Sequence, residues 1–282
     1  MTTASPAAAV SDAAPLPAGR RTAFGGLLLA EWTKIRSVRS TVWTLLMFVV
    51  LTVGLTAGLT ALVVNSWGKR GSGGGEAAII ADPVGFVLGA GIGLGQLTIC
   101  VLGVLVITSE YSTGVIRASL LAVPRRIPML IAKLVVFAAL LIVLSEIVAF
   151  GSFFLGSLLL HSKVPVSLSD PGVTRAVVGA GMYLTVLGLF AVGIGGLIRH
   201  TAGAIATVIG AVLVVPIITS FLPGSWGHHI NGYLPEQAGA MIYQAHERAE
   251  QVLTPWQGFG VFCLWTAVLL VAAGYLLVRR DA

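Results

Sequence analysis

Apolar residues in this chain occur in six long runs, and the shorter stretches between them carry most of the charge. A helix needs about 20 mostly apolar residues to cross the hydrocarbon core of a bilayer. Each run reaches about this length, and none alternates between polar and apolar residues as a membrane barrel strand does. The pattern therefore predicts an all-α, polytopic fold with six transmembrane helices, over residues 43–64, 84–108, 130–160, 176–198, 202–222 and 258–278.

The composition excludes an ordinary water-soluble globule. Of the 282 residues, 56% are hydrophobic and only 10% are charged, whereas soluble domains carry about 25% charged residues. The two cysteines, Cys100 and Cys263, lie inside apolar runs, which predicts unreactive thiols rather than a disulfide framework. The net charge of +6 is expected to reflect membrane topology and attraction to anionic lipid, not a nucleic-acid partner.

The basic residues predict the orientation of the chain, because cytoplasmic loops are enriched in Lys and Arg. Twelve of the 17 would lie on one side: Arg20, Arg21, Lys34, Arg36, Arg39, Arg117, Arg125, Arg126, Lys133, Arg199, Arg279 and Arg280. Both termini are therefore expected in the cytoplasm of a cell that holds the protein in its inner or plasma membrane. Residues 1–21, rich in Ala, Pro and Ser, are expected to form a disordered tail, and 22–282 a single six-span domain.

Residues 22–42 are predicted to form one interfacial helix. Six apolar residues share a face at helical spacing: Phe24, Leu27, Leu28, Trp32, Ile35 and Val38. Lys34, Arg36 and Arg39 flank this face, but Glu31 projects into it. Glu31 either pairs with Lys34 three residues later, or forms a salt bridge with the next cytoplasmic loop or a partner subunit.

The segment 110–133 reads EYSTGVIRASLLAVPRRIPMLIAK and follows the second predicted span. Glu110 and Tyr111 end that span. A short helix is then predicted, with Gly114 permitting a turn before it and Arg117 on its polar side. Pro124 limits that helix. Arg125, Arg126 and Lys133 mark the return of the chain to the membrane. The alternative is a basic loop that only obeys the topology rule.

Glu146 lies deep in the third predicted span, where burying a charge costs roughly 3 kcal/mol or more. One interpretation is a group that handles a substrate or a proton. The other is a neutral carboxyl hydrogen-bonded to a neighbouring helix, near Ser145. Small residues also recur every four positions in the spans, which favours close helix packing; examples are Gly54, Gly58, Gly85, Gly89 and Gly93.

Two connections and one proline carry further expectations. The glycine-rich connection 65–83 has the composition of a flexible linker. The longer connection 223–257 exceeds the usual length of a structureless loop, and residues 241–253 are predicted to form one helix within it. Pro216 is expected to kink the fifth span.

The sequence contains no motif for chemistry of its own. There is no GxxxxGK[ST] phosphate loop, no HExxH and no CxxC, so neither ATP hydrolysis nor a cofactor or metal site is expected here. His228, His229 and His246 are expected to be ordinary surface histidines, since zinc ligands are usually more closely spaced. The chain is not predicted to be an enzyme.

Two short motifs resemble the membrane subunit of type 2 ATP-binding-cassette exporters. The first is Glu31-Trp32-Thr33-Lys34, before the first span. The second, after the second span, consists of Glu110, Tyr111, Gly114, Arg117, Leu120, Leu121, Pro124, Arg125, Arg126 and Lys133. The order of six spans is similar over nearly the whole chain.

This resemblance implies an exporter with two permease subunits, identical or related, and two separate cytoplasmic ATPase subunits. It implies that 22–42 is the connecting helix, that 110–126 is the coupling element that contacts the ATPase, and that 223–257 is the outer element. Two alternatives stay open: an ion-coupled secondary transporter that uses Glu146, and a membrane anchor or sensor that transports nothing.

Overall fold

The structure, a computed structural model, describes residues 24–68, 74–112, 126–221, 225–246 and 251–279. These residues form α-helices and no strand, which confirms the predicted all-α class for this part of the chain. In chain order the helices are α1 (Phe24–Ser37), α2 (Arg39–Ser66), α3 (Gly74–Ala81), α4 (Pro83–Ser112), α5 (Arg126–Leu160), α6 (Val173–Ile198), α7 (Thr201–Ile209), α8 (Val215–Ser220), α9 (Ser225–Gly232), α10 (Pro235–Ala240) and α11 (Pro255–Arg279).

Six segments of the described chain are long and apolar enough to cross a membrane, as predicted. They are Arg39–Ser66, Pro83–Ser112, Ile127–Leu160, Val173–Ile198, Thr201–Ser220 and Pro255–Arg279. Most of these helices extend beyond the predicted apolar run by a few residues at one or both ends, because a helix continues through polar residues at the membrane interface. The short coupling helix expected after the second span lies outside the described residues.

The predicted interfacial helix over 22–42 is divided in the structure. Helix α1 ends at Ser37, and Val38 adopts an extended conformation with φ −84° and ψ 109°. Arg39 then begins the first membrane-spanning helix. The sequence pattern did not show this break, because the apolar positions before and after Val38 follow one helical period.

Helix α6 lies at the centre of the bundle. In its most apolar 18-residue window, 78% of the residues are buried inside the protein. Glycines make this position possible: Gly188 accommodates the side chain of Leu141 from α5, and Gly103 of α4 lies against the Gly188 carbonyl. A methyl group at either glycine would overlap these atoms, so small residues set the distance between the three helices.

The close contact between α2 and α4 does not use the predicted glycine stripe. Gly91 and Gly95 of α4 pack on Thr52, and the hydroxyl of Thr56 donates to the carbonyl of Val87 at 3.4 Å. Gly89 and Gly93 of α4, and Gly54 and Gly58 of α2, lie on other faces. A methyl group built on any of these four glycines meets no atom of another described helix within 4 Å. A shift of two residues turns a helix by about 200°, so the predicted stripe lies on the other face.

The fifth span contains a π-helical turn, Gly210–Val214, immediately before α8. Pro216 has no backbone N–H to donate into the preceding turn, so the regular bonding pattern changes there. The side chain of Asn231 from α9 donates to the Pro216 carbonyl at 3.1 Å and to the Thr219 hydroxyl at 2.9 Å. The irregularity expected at Pro216 therefore takes the form of a wider turn that α9 stabilises.

Two expectations for the connections are wrong. Helix α3 occupies the second half of the segment 65–83, which was predicted to be a flexible linker. The single helix predicted over 241–253 does not form, since Gln244 is extended with ψ 125° after one 3-10 turn. Arg175 explains this, because its Nη2 donates to the carbonyls of Gln244 and Ala245 at 3.1 and 3.0 Å and holds the chain in a non-helical path.

The α2–α4 contact predicts opposite effects for two glycines on the same helix. Gly91→Ala should lower the free energy of unfolding by about 1–3 kcal/mol, because the new methyl group overlaps the Thr52 carbonyl. Gly89→Ala, which meets open space, should be neutral or stabilising by up to about 1 kcal/mol, since alanine favours helix. Titration with a denaturing detergent in mixed micelles measures both. Equal effects would contradict this packing.

Candidate functional site

Four charged side chains from three helices meet at one end of the bundle. Glu31 and Lys34 come from α1, Glu110 from the last turn of α4, and Lys133 from the third turn of α5. We refer to these four residues as the charge cluster. It joins the last turn of α4 to the third turn of α5, the described helices on either side of residues 113–125.

The cluster is a continuous chain of ion pairs. Lys133 Nζ lies 2.7 Å from Glu31 Oε2 and 2.8 Å from Glu110 Oε1. Lys34 Nζ lies 2.8 Å from Glu31 Oε1 and 3.1 Å from Glu110 Oε1. Each amine therefore contacts both carboxylates, and the four formal charges cancel.

Three of the four residues are buried. Glu31 is 3% exposed, Lys133 4% and Glu110 8%, whereas the Lys34 side chain is 37% exposed. A buried ion pair contributes little net stability compared with apolar packing, but removal of one partner leaves an unpaired charge and costs about 3–5 kcal/mol. The cluster therefore makes the position of α1 depend on α4 and α5.

The electrostatics keep the two α1 residues of the cluster ionised. Burial raises the pKa of the Glu31 carboxyl, but the charges and hydrogen bonds of Lys133 and Lys34 outweigh burial, so its pKa is lowered. Burial lowers the pKa of the Lys34 amine, but Glu31 and Glu110 outweigh it, so its pKa is raised. Both shifts favour the charged forms.

The structure confirms the first interpretation of Glu31 and gives it a second partner on a membrane-spanning helix, where a loop or a partner subunit was expected. The predicted pair with Lys34 on α1 forms, and a second salt bridge joins Glu31 to Lys133 on another helix. Glu31 is also the buried residue of α1, while the apolar residues Phe24 and Trp32 are 46% and 45% exposed. The carboxylate that interrupts the apolar face thus marks the side of α1 that faces the protein.

Sequence reasoning missed the central position of Lys133. From the sequence it was only a basic residue at the return to the membrane and a residue of the second motif, with no partner. However, it lies seven residues into α5, within a membrane-spanning segment, where a lysine normally has a specific partner. The position of this lysine inside a predicted span was the sequence signal that could have shown its role.

The other predicted site residues are only partly described. Gly114, Arg117, Pro124 and Arg125 lie outside the described residues. Arg126 begins α5, and its side chain is also outside the described part.

Two further predicted site residues, Arg36 of α1 and Arg39 of α2, lie in the described part of the chain. Arg36 and Arg39 are exposed and make no ion pair with the described residues, so they do not belong to the charge cluster.

Tyr111, beside Glu110, contacts Arg199, which the sequence analysis counted only among the basic residues that predict the orientation of the chain. The guanidinium of Arg199 lies over the Tyr111 ring, 5.0 Å from its centre, in a cation–π contact. Arg199 follows α6 in a left-handed conformation with φ 59°, and its Nη2 donates to the Leu276 carbonyl of α11 at 2.9 Å. The end of α4 is thus joined to α6 and α11 as well as to α1 and α5.

A cavity of about 380 Å³ adjoins the charge cluster. Lys34 and Glu110 form part of its wall together with the turn from α1 to α2. Apolar residues of α4 also line it: Leu102, Leu105 and Val106.

Glu146 lies far from the charge cluster. Thirteen residues of α5 separate it from Lys133, about 20 Å of helix. Its carboxyl packs against Gly181 of α6, and its Oε2 is buried without a hydrogen-bond partner among the described residues. The hydroxyl of Ser145 is likewise buried and unpaired there, so the expected bond near Ser145 does not form.

Comparison of the sequence with protein-family models gives no match, and a search of the curated proteins finds no relative. Functional interpretation therefore depends on the geometry of this chain.

The charge cluster predicts that Lys133→Met strongly lowers the stability of the folded protein. The free energy of unfolding should fall by about 3–5 kcal/mol, since Glu31 and Glu110 lose a buried partner. Lys163→Met, which changes an exposed lysine after α5, should change it by less than about 0.5 kcal/mol.

A double variant gives the internal check, measured by the same detergent titration. Adding Glu31→Gln to Lys133→Met should recover part of the loss, because the unpaired carboxylate is then removed. Strictly additive losses would show that the two residues do not depend on one another.

Proposed function

We propose that this membrane protein is the permease subunit of an ATP-binding-cassette exporter. In this proposal two such subunits, identical or related, lie in the inner or plasma membrane with both termini in the cytoplasm. A separate cytoplasmic ATPase subunit supplies the energy. The charge cluster is the observation that carries the proposal.

The cluster supports the proposal because of where it lies and what it connects. The proposed coupling element, 110–126, starts at Glu110 and ends seven residues before Lys133. In this proposal a displacement of this element acts on Glu110 directly and on Lys133 through the first turns of α5. Through them it reaches Glu31 and Lys34, at distances of 2.7 to 3.1 Å, and so moves α1.

Such a mechanism requires that motion of the coupling element is passed rigidly to the membrane helices. Packed interfaces switch between discrete arrangements rather than deforming continuously, so a coupling element must be attached firmly to the helices it moves. The ion pairs attach it to α1 and α5, and the Arg199–Tyr111 contact attaches it to α6 and α11. In this proposal Arg117, Arg125 and Arg126 would dock on acidic groups of the ATPase.

Glu146 supports a second candidate function, ion-coupled secondary transport. Its carboxyl has a buried oxygen without a hydrogen-bond partner in the described part of the chain, and an intramembrane carboxyl is a functional candidate by default. In this case a proton gradient would drive transport through Glu146 without ATP.

Co-purification tests the proposed function. The tagged full chain is isolated from its native membrane, and the proteins bound to it are identified by mass spectrometry. We expect an ATPase subunit with the unmodified chain. Arg117→Glu should lower its yield at least about tenfold, since a like-charge contact costs several kcal/mol. Lys163→Glu, a charge reversal in the connection after α5, should leave the yield unchanged.

The outcomes distinguish the candidates. Full recovery of the ATPase with Arg117→Glu would argue against the docking role. If no ATPase is recovered and vesicles containing the chain show a proton flux that Glu146→Gln abolishes, the second candidate replaces the first. If neither the ATPase nor a proton flux is found, an anchor or sensor remains.

A further inference from the structure

The cavity beside the charge cluster is amphipathic along its length. On α4 its wall runs from Leu102 to Glu110, eight residues or about 12 Å of helix rise. The Glu110 end is charged, and the Leu102 end is apolar and lies further into a membrane-spanning helix. The volume of about 380 Å³ is near the lower limit of small-molecule sites, enough for a headgroup and the first part of an acyl chain.

The charged end has one donor and one acceptor that no described residue uses. A lysine amine has three N–H donors, and Lys34 uses two of them, for Glu31 and Glu110. Glu110 accepts both of its hydrogen bonds through Oε1, and its Oε2 bonds to no other described residue. Since the cluster is neutral overall, a ligand that complements it carries both an anionic acceptor and a cationic donor.

The surroundings indicate where such a ligand comes from. At the end of the bundle that holds the last turn of α4, the cavity is lined by the turn between α1 and the first span. Hydroxyl groups of Ser37, Ser40 and Thr41 line this side, as is typical of the headgroup region. A molecule that reaches the cavity from this depth is a component of the adjacent leaflet.

We propose that the cavity binds one phospholipid with a primary-amine headgroup from the leaflet on the α1 side. The lipid phosphate accepts a hydrogen bond from Lys34 Nζ, and the lipid ammonium donates to Glu110 Oε2. The first part of one acyl chain lies along Leu102, Leu105 and Val106. The lipid thereby fills the space between α1 and α4 next to the ion pairs.

The headgroup selectivity follows from the hydrogen-bonding atoms. An anionic glycerol headgroup has a phosphate but no ammonium for Glu110. A choline headgroup has a positive charge but no N–H, so it cannot donate to Glu110 Oε2. The inference needs only a membrane-embedded chain, and it does not depend on the proposed export function.

Lipid binding to the purified full chain tests the inference. The protein is delipidated in detergent and titrated with phosphatidylethanolamine, phosphatidylcholine or phosphatidylglycerol of identical acyl chains, and bound lipid is counted by native mass spectrometry. We expect one phosphatidylethanolamine per chain, bound about tenfold more tightly than the other two, as the loss of a hydrogen bond to a charged group implies.

Two tryptophan variants on α4 separate the cavity from the general lipid-facing surface. Leu105→Trp places an indole in the cavity and should lower phosphatidylethanolamine binding by at least about the same tenfold factor. Leu94→Trp changes a residue that is 54% exposed on the same helix and does not line the cavity, so binding should persist.

Three results would overturn the inference: equal binding of the three lipids, binding that survives Leu105→Trp, or equal loss in both variants. If Leu105→Trp does not fold, the lipid selectivity of the unmodified chain decides the question alone. No nucleotide or ATPase is present in the assay, so its outcome is separate from that of the co-purification experiment.

Discussion

A charged side chain at the edge of the hydrocarbon core needs a partner of opposite charge, because lipid cannot solvate it. This constraint fixes one end of the protein. Glu31, Lys34, Glu110 and Lys133 satisfy each other within 2.7–3.1 Å. None of the three buried members can move away without leaving an unpaired charge. The interfacial helix is therefore attached to two membrane spans by electrostatics, while most of its apolar residues remain available to lipid.

The structure of this end of the bundle follows from the attachment of α1 to α4 and α5. With α1 held near α4, the turn into α2 closes over a cavity that is charged at one end and apolar at the other. Glu110 in the last turn of α4 and Lys133 in the third turn of α5 are joined to each other and to α1 by these ion pairs. Arg199 adds a second attachment, through Tyr111, to the tightly packed central helix α6.

The sequence was sufficient for the six spans because long apolar runs have few other solutions in a membrane protein. It also marked Glu31 as unusual, because its carboxylate interrupts an apolar face. It could not identify Lys133 as the shared partner of the Glu31 and Glu110 carboxylates, since these contacts join residues up to 102 positions apart and depend on how helices pack. For the same reason it placed the glycine contact of α4 on Gly89 and Gly93 instead of Gly91 and Gly95. The path of residues 244–246 depends on Arg175, about 70 residues earlier, and no local pattern contains that information.

The most direct test of this account measures how firmly the charge cluster holds α1. Spin labels at the exposed positions Leu29 of α1 and Ile127 of α5, in a chain with Cys100→Ala and Cys263→Ala, give the distance between the helices by pulsed electron paramagnetic resonance. The account predicts one narrow distance distribution, which Lys133→Met broadens or shifts to longer distances while Lys163→Met leaves it unchanged. A distribution that Lys133→Met does not alter would show that the ion pairs do not position α1, and the central claim would be wrong.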